Sequence, residues 1–170
     1  MRMARLLSLV VVTVLQFTSV PLSAQQPVAP PPPQIPYGAP ISLEQAKKVM
    51  AGAEAEAKKN NWNMVIAVLD SGGHLVMLAR MDGTQLGSIE AAKDKAYSAV
   101  LYRRPTKVFQ DLVGQGGPNL RLLRLAGASP LEGGIPITVD GKIVGAVGVS
   151  GAASEQDAQV AKAGVEALGK

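Results

Sequence analysis

The chain has 170 residues with no cysteine and a single histidine, which excludes disulfides, thiolate zinc sites, Cys-His catalysis and a two-histidine metal site within one chain. Eight of its 12 prolines fall between Pro21 and Pro40, separating an N-terminal appendage from 130 residues rich in Ala, Val, Leu, Ile and Gly, enough to bury one core. The formal charge of +4 includes Arg2 and Arg5; without them 15 basic side chains face 13 acidic ones, a net +2, and no basic run exceeds a pair, so nucleic acid is not an expected partner.

Met1 to Arg5 carries two arginines, Leu6 to Val20 is an uncharged, mostly apolar run of 15, and Leu22-Ser23-Ala24 ends in a small residue. This is the pattern of a secretory signal over residues 1–24, predicting a periplasmic or secreted protein. The alternative is an uncleaved anchor, but the run is shorter than the roughly 20 apolar residues a span needs. From Gln25 to Pro40 four consecutive prolines predict an extended polyproline spacer that takes no part in a sheet, so the folded domain is read as 41–170.

Ser42 and Gln45 form a capping box, and Ala46, Val49, Met50, Ala53 and Ala57 recur at helical spacing, predicting a helix over Leu43 to Lys59. Met64–Leu69 and His74–Arg80 read as strands joined by the turn residues Asp70-Ser71-Gly72-Gly73. A second helix opens at Gly87-Ser88, with Ile89, Ala92, Ala96, Ala99 and Val100 on its apolar stripe and Glu90, Lys93, Asp94 and Lys95 on the opposite side. It ends near Arg104, before Pro105, which starts a short third helix through Val113. Asn119 to Gly134 carries no readable pattern. Ile135–Val139 and Lys142–Val149 flank Asp140-Gly141, a strong hairpin signal, and Ser154 is read as the cap of a last helix. Two hairpins interleaved with helices predict an α+β fold with one antiparallel sheet.

No G-x-S-x-G elbow and no Walker lysine are present, and Gly114-x-Gly116-Gly117 lacks the dinucleotide spacing. The remaining chemistry is a set of soft or oxygen ligands, Met77, Met81, Tyr97, Tyr102, Thr106 and His74, with Arg80, Arg103 and Arg104 near in sequence. Glu155 and Asp157, in the first turn of the last helix, suit its dipole.

Seven strings occur in one order: Val68 to Val76, Arg80 to Gly83, Ser88 to Ala99, Arg104 to Thr106, Gly133 to Ile137, Gly145 to Gly151 and Glu155 to Asp157. Together they resemble the GlcG/HbpS-type haem-binding family, also found as the C-terminal domain of some corrinoid adenosyltransferases. The resemblance implies a single domain with a five-stranded antiparallel sheet and flanking helices, profilin-like in outline, that assembles into homo-oligomers. It implies an exported haem-binding protein, a haem or redox sensor or a carrier that reports to a membrane sensor protein. The alternatives are an enzyme acting on haem or on a small organic ligand in the same cleft, and an oligomeric partner-binding module without haem. Thr106 and His74 are the candidate iron ligands that it implies, and Tyr102, Arg103 and Arg104 the candidate haem contacts. Ala158 stands where the family often has histidine.

Overall fold

A computed structural model describes residues 34–169; the expected signal, most of the expected spacer and Lys170 lie outside the described residues. Ser42 opens α1 (Leu43–Lys59) through the expected capping box: its Oγ accepts the Gln45 N–H at 3.2 Å and Gln45 Oε1 accepts the Ser42 N–H at 3.0 Å. The first hairpin, β1 (Val65–Asp70) and β2 (Leu75–Arg80), turns where Asp70 Oδ1 accepts the N–H groups of Gly72 and His74. Helix α2 (Gly87–Tyr102) leads through Pro105 into α3 (Lys107–Gly114), which begins after Thr106 instead of at Pro105. A 3-10 helix (Gly117–Arg124) occupies the stretch that carried no sequence pattern.

The second hairpin, β3 (Gly134–Val139) and β4 (Lys142–Ser150), turns on Asp140 and Gly141 with φ of 49° and 71°, the doubly left-handed turn that an Asp-Gly pair favours. The last helix, α4 (Ser154–Ala167), starts one residue earlier than its expected cap implies. Ser154 is its first helical residue, and Ala153 occupies the cap position, its N–H donating to Gln156 Oε1 at 3.1 Å.

The sheet is antiparallel with strand order β2-β1-β4-β3, so among the described residues it has four strands and not the five that the resemblance implied. The segment that approaches a fifth place is Pro36–Gly38, where Tyr37 makes one parallel bridge to Ile143. Ile143 N–H donates to Pro36 O at 2.9 Å and Gly38 N–H to Ile143 O at 2.7 Å. Pro36 and Pro40 have no N–H to give, so the contact stays a single bridge. The end of the proline-rich segment therefore lies along β4, contrary to the expectation of a spacer clear of the sheet.

Strand alternation sends Ile66, Val68, Val147 and Val149 to the face covered by α1 and α4, and Val65, Ala67, Leu69 and Ala146 to the face covered by α2. Central strands covered on both faces read as unbroken apolar runs, as Val65–Leu69 does. Met77 and Met81 pack against the α1/α4 core.

Candidate functional site

The two expected iron ligands lie apart. Thr106 is bonded to Gly134 on the edge strand β3, whereas His74 stands in the β1–β2 turn, with β4 and β1 between them. Thr106 is fully buried; its Oγ accepts the Gly134 N–H at 2.9 Å and its own N–H donates to Gly134 O at 3.0 Å. This two-way clasp fastens the start of α3 to β3. The Thr106 hydroxyl is thus engaged in this clasp and out of solvent contact. Thr106→Val should therefore lower stability by about 1–3 kcal/mol, the cost of stranding a buried N–H, while Thr106→Ser stays close to wild type. Thermal melts of the two variants check this.

His74 offers the opposite case. Its side chain is 82% exposed, with Nδ1 3.4 Å from Asp70 Oδ1 and Nε2 as its other ring nitrogen. Burial opposes ionisation of Asp70, but the N–H groups of His74 and Gly72 together with the imidazole outweigh it and hold the carboxyl below its usual range. A carboxylate beside Nδ1 favours the tautomer whose Nε2 lone pair is free for a metal. A Cβ on Gly72 would come within 2.9 Å of the imidazole, so only glycine lets the ring lie back on the turn.

The surface beside the His74 turn combines apolar and charged side chains. Gly73 has a φ of 83°, and a Cβ there would meet the Tyr97 ring at 2.9 Å; one on Gly127 would meet Tyr97 and Leu101, also at 2.9 Å. These two glycines bracket the exposed Tyr97 on α2. A hollow of about 250 Å³ lies on one side, between Leu69, Leu75 and Tyr97 with Glu90, Lys93 and Asp94 at its rim. A second, of about 460 Å³, runs along Gly127–Leu131 and shares Asp94 with the first. Another of about 400 Å³ lies between Glu54, Lys58 and Arg80; His74 itself lines none of these three hollows.

The expected arginine pair diverges. Arg103 turns towards Tyr37, its Cζ 5.3 Å from the ring centroid, while the Tyr37 hydroxyl donates to Val100 O at 2.8 Å and Leu101 O at 3.2 Å. Arg104 lies over Phe109 at 5.8 Å, with its Nε donating to Tyr102 O. Tyr102 meets Phe109 edge-on at 5.2 Å and its hydroxyl donates to Ala126 O. The exposed Tyr97 and Leu101 of α2, with Gly73 against the Tyr97 ring, are thus distinct from the cluster of Tyr102, Arg104 and Phe109 that packs α3 against α2. The His74 turn supplies a nitrogen ligand, Tyr97 and Leu101 an apolar surface and Arg103 a cation, the donor types that haem takes. Arg80 lines the separate hollow near Lys58.

Two residues carry no local sequence signal of their place: Tyr37, within the proline-rich segment, and Lys95, among the charged residues of α2. Lys95 is buried and not on the solvent side: Lys95 Nζ donates to Asp157 Oδ2 at 2.7 Å and to Val149 O at 3.0 Å, and both side chains are 3% exposed. Asp157 accordingly does more than suit the helix dipole. Its Oδ1 accepts the Ala152 N–H at 3.1 Å, and its Oδ2 closes an ion pair between α2 and α4.

Comparison with known proteins gives a consistent picture. A family model described as "Haem degrading protein HbpS-like" matches residues 41–166. Protein GlcG of Escherichia coli strain K12 is 45% identical over 110 residues, 65% of this chain and 81% of GlcG. Streptomyces reticuli HbpS, solved as a double mutant, matches with a TM-score of 0.70 and 32% identity, covering 86% of this chain and 99% of that one. A solved PduOC:haem complex matches with a TM-score of 0.69 and 26% identity, over 76% of this chain and 95% of PduOC.

Proposed function

The chain belongs to the HbpS-like family, and we propose that it is a haem-binding protein whose ligand face carries His74, Tyr97, Leu101 and Arg103. The observation that carries this reading is the open, carboxylate-backed imidazole of His74, in the turn whose Gly73 and Leu75 line the hollow beside Tyr97. In it, His74 holds the iron through Nε2, and Asp70 keeps the ring in the tautomer that frees that nitrogen. Tyr97 and Leu101 shield the macrocycle from water, and Arg103 meets a propionate. Bound haem supplies a redox-active iron that the apolar chain lacks.

Haem titration of the purified protein should give a saturable Soret shift, and His74→Ala should bind at least about tenfold more weakly with an altered spectrum. An unchanged spectrum in His74→Ala would overturn the ligand assignment, and no shift in wild type would overturn haem binding. A second reading, haem breakdown, is favoured by the description of the matched family model. Loss of the bound Soret band with release of iron, under oxygen and an added reductant, separates turnover from binding.

We further infer export, from the signal pattern of residues 1–24, and a homo-oligomer that presents haem status to a membrane sensor protein. Exposed Leu120, Leu123 and Leu131 on the 3-10 helix and the loop after it supply an apolar surface for a second copy.

A further inference from the structure

Arg103 ends α2 in the left-handed region, with φ 54° and ψ 40°. Glycine fills this cap position most readily, and a side chain there carries a conformational cost. Such a cost persists where the surroundings enforce it and the side chain has a use. Among the described residues no protein acceptor takes the guanidinium N–H groups of Arg103; what holds them in place is the face of Tyr37, 5.3 Å away.

Tyr37 is itself held at both ends. Its backbone bridges Ile143, and the flanking Pro36 O and Gly38 N–H both bond to that residue. Its hydroxyl caps two carbonyls of the last turn of α2, those of Val100 and Leu101. The chain thus runs from the Pro36–Gly38 strap through a fixed phenol ring to the Arg103 guanidinium at the end of α2.

We propose that Tyr37 is a positioning residue for the ligand site: it presents the Arg103 guanidinium to a carboxylate of the bound molecule, making the strap at the end of the proline-rich segment part of that site. The inference rests on the haem reading above. An arginine already held against a ring loses less rotamer freedom when it meets a carboxylate, so its five donors act at lower cost than those of a free surface arginine. Linkage makes the effect reciprocal: bound ligand steadies the strap.

The test is a haem titration of the full chain as wild type, Tyr37→Leu, Tyr37→Phe, Arg103→Ala, Arg103→Gly and the double variant Tyr37→Leu/Arg103→Gly, with thermal melts alongside. Tyr37→Leu and Arg103→Gly should each weaken haem affinity by about tenfold, the effect of losing one charge-assisted contact. Tyr37→Phe keeps the ring and most of the affinity. The double variant should bind no more weakly than Arg103→Gly alone, because both changes remove the same contact. Arg103→Gly, relieved of the left-handed cost, should match or exceed the melting temperature of Arg103→Ala while sharing its weak binding. Unchanged affinity in folded Tyr37→Leu, or losses that add in the double variant, would overturn the positioning role while the haem reading stands. Absence of a Soret shift in wild type would overturn both.

Discussion

Lys95→Ala should cost about 3–5 kcal/mol of folding stability, the usual penalty for removing one partner of a buried ion pair. Lys95 Nζ lies 2.7 Å from Asp157 Oδ2, and the two side chains are equally hidden at 3% exposure. Truncating the lysine leaves a buried carboxylate without its cation, held by backbone N–H groups such as that of Ala152, and also strips Val149 O of its contact with Lys95. The pair matters to the architecture because α2 covers one face of the sheet and α4 the other. Through it, the helix that bears Tyr97, Leu101 and Arg103 is tied to the first turn of α4.

The pH dependence has a definite sign. Burial is the largest influence on Asp157 and raises its pKa; the Lys95 ammonium and the N–H groups of Ala152 and Gly151 pull it back. An acid whose folded pKa is raised binds its proton more tightly when folded, so this group favours folding at low pH and disfavours it as pH rises through the unfolded and then the folded value. Without Lys95 the folded pKa rises further. The stability gap between wild type and Lys95→Ala should therefore be widest at neutral pH and narrow as the solution is acidified. Denaturant melts at two pH values measure it, and a gap that widens on acidification would contradict the account. Lys95→Met/Asp157→Leu, which removes both charges, should lose less than either single truncation.

How far the sequence reveals this molecule depends on how local each determinant is. Helix α1 agrees with expectation from Leu43 to Lys59 because its cap, Ser42 with Gln45, and its stripe of small apolar residues are all written within the helix. The Asp140-Gly141 turn is legible for the same reason. Lys95 shows the limit. Ser88, Ala92, Lys95 and Ala99 are spaced four, three and four apart and all are buried, so the stripe was visible. A lysine on such a stripe is misread unless its partner is known, and Asp157 is 62 residues away.

The candidate site divides along the same line. His74 stands out as the single histidine, and its orienting carboxylate, Asp70, lies four residues off. Arg103 was legible as a candidate but Tyr37 was not, because the ring reaches α2 only once the strap lies along β4. Thr106 looked like a ligand from its place in the motif, yet its burial depends on Gly134, 28 residues further along the chain. Gly134 and Gly148 likewise show their purpose only in the packed structure, where they let the backbone of α2 approach the sheet.

Gly148→Ala should cost about 3 kcal/mol or more, at the upper end of overpacking substitutions. A Cβ at Gly148 would lie 2.0 Å from Ala92 O and 2.5 Å from Ala96 N, both backbone atoms of α2, so no side-chain rotation relieves the clash. Its cross-strand partner is Gly134, where a Cβ would fall 2.2 Å from Lys95 O. Two glycines paired across β3 and β4, facing the small side chains of Ala92 and Ala96, thus form the seat on which α2 rests. A helix pushed off this seat takes Tyr97, Leu101 and Arg103 with it, so any Gly148→Ala protein that folds should also bind haem more weakly. Gly114→Ala is the matched control: a Cβ there has open space in a helix, and the change should be neutral or stabilising by up to about 1 kcal/mol. Equal melting temperatures for the two variants would mean that α2 does not depend on this contact, and the link from sheet glycines to the ligand face would fail with it.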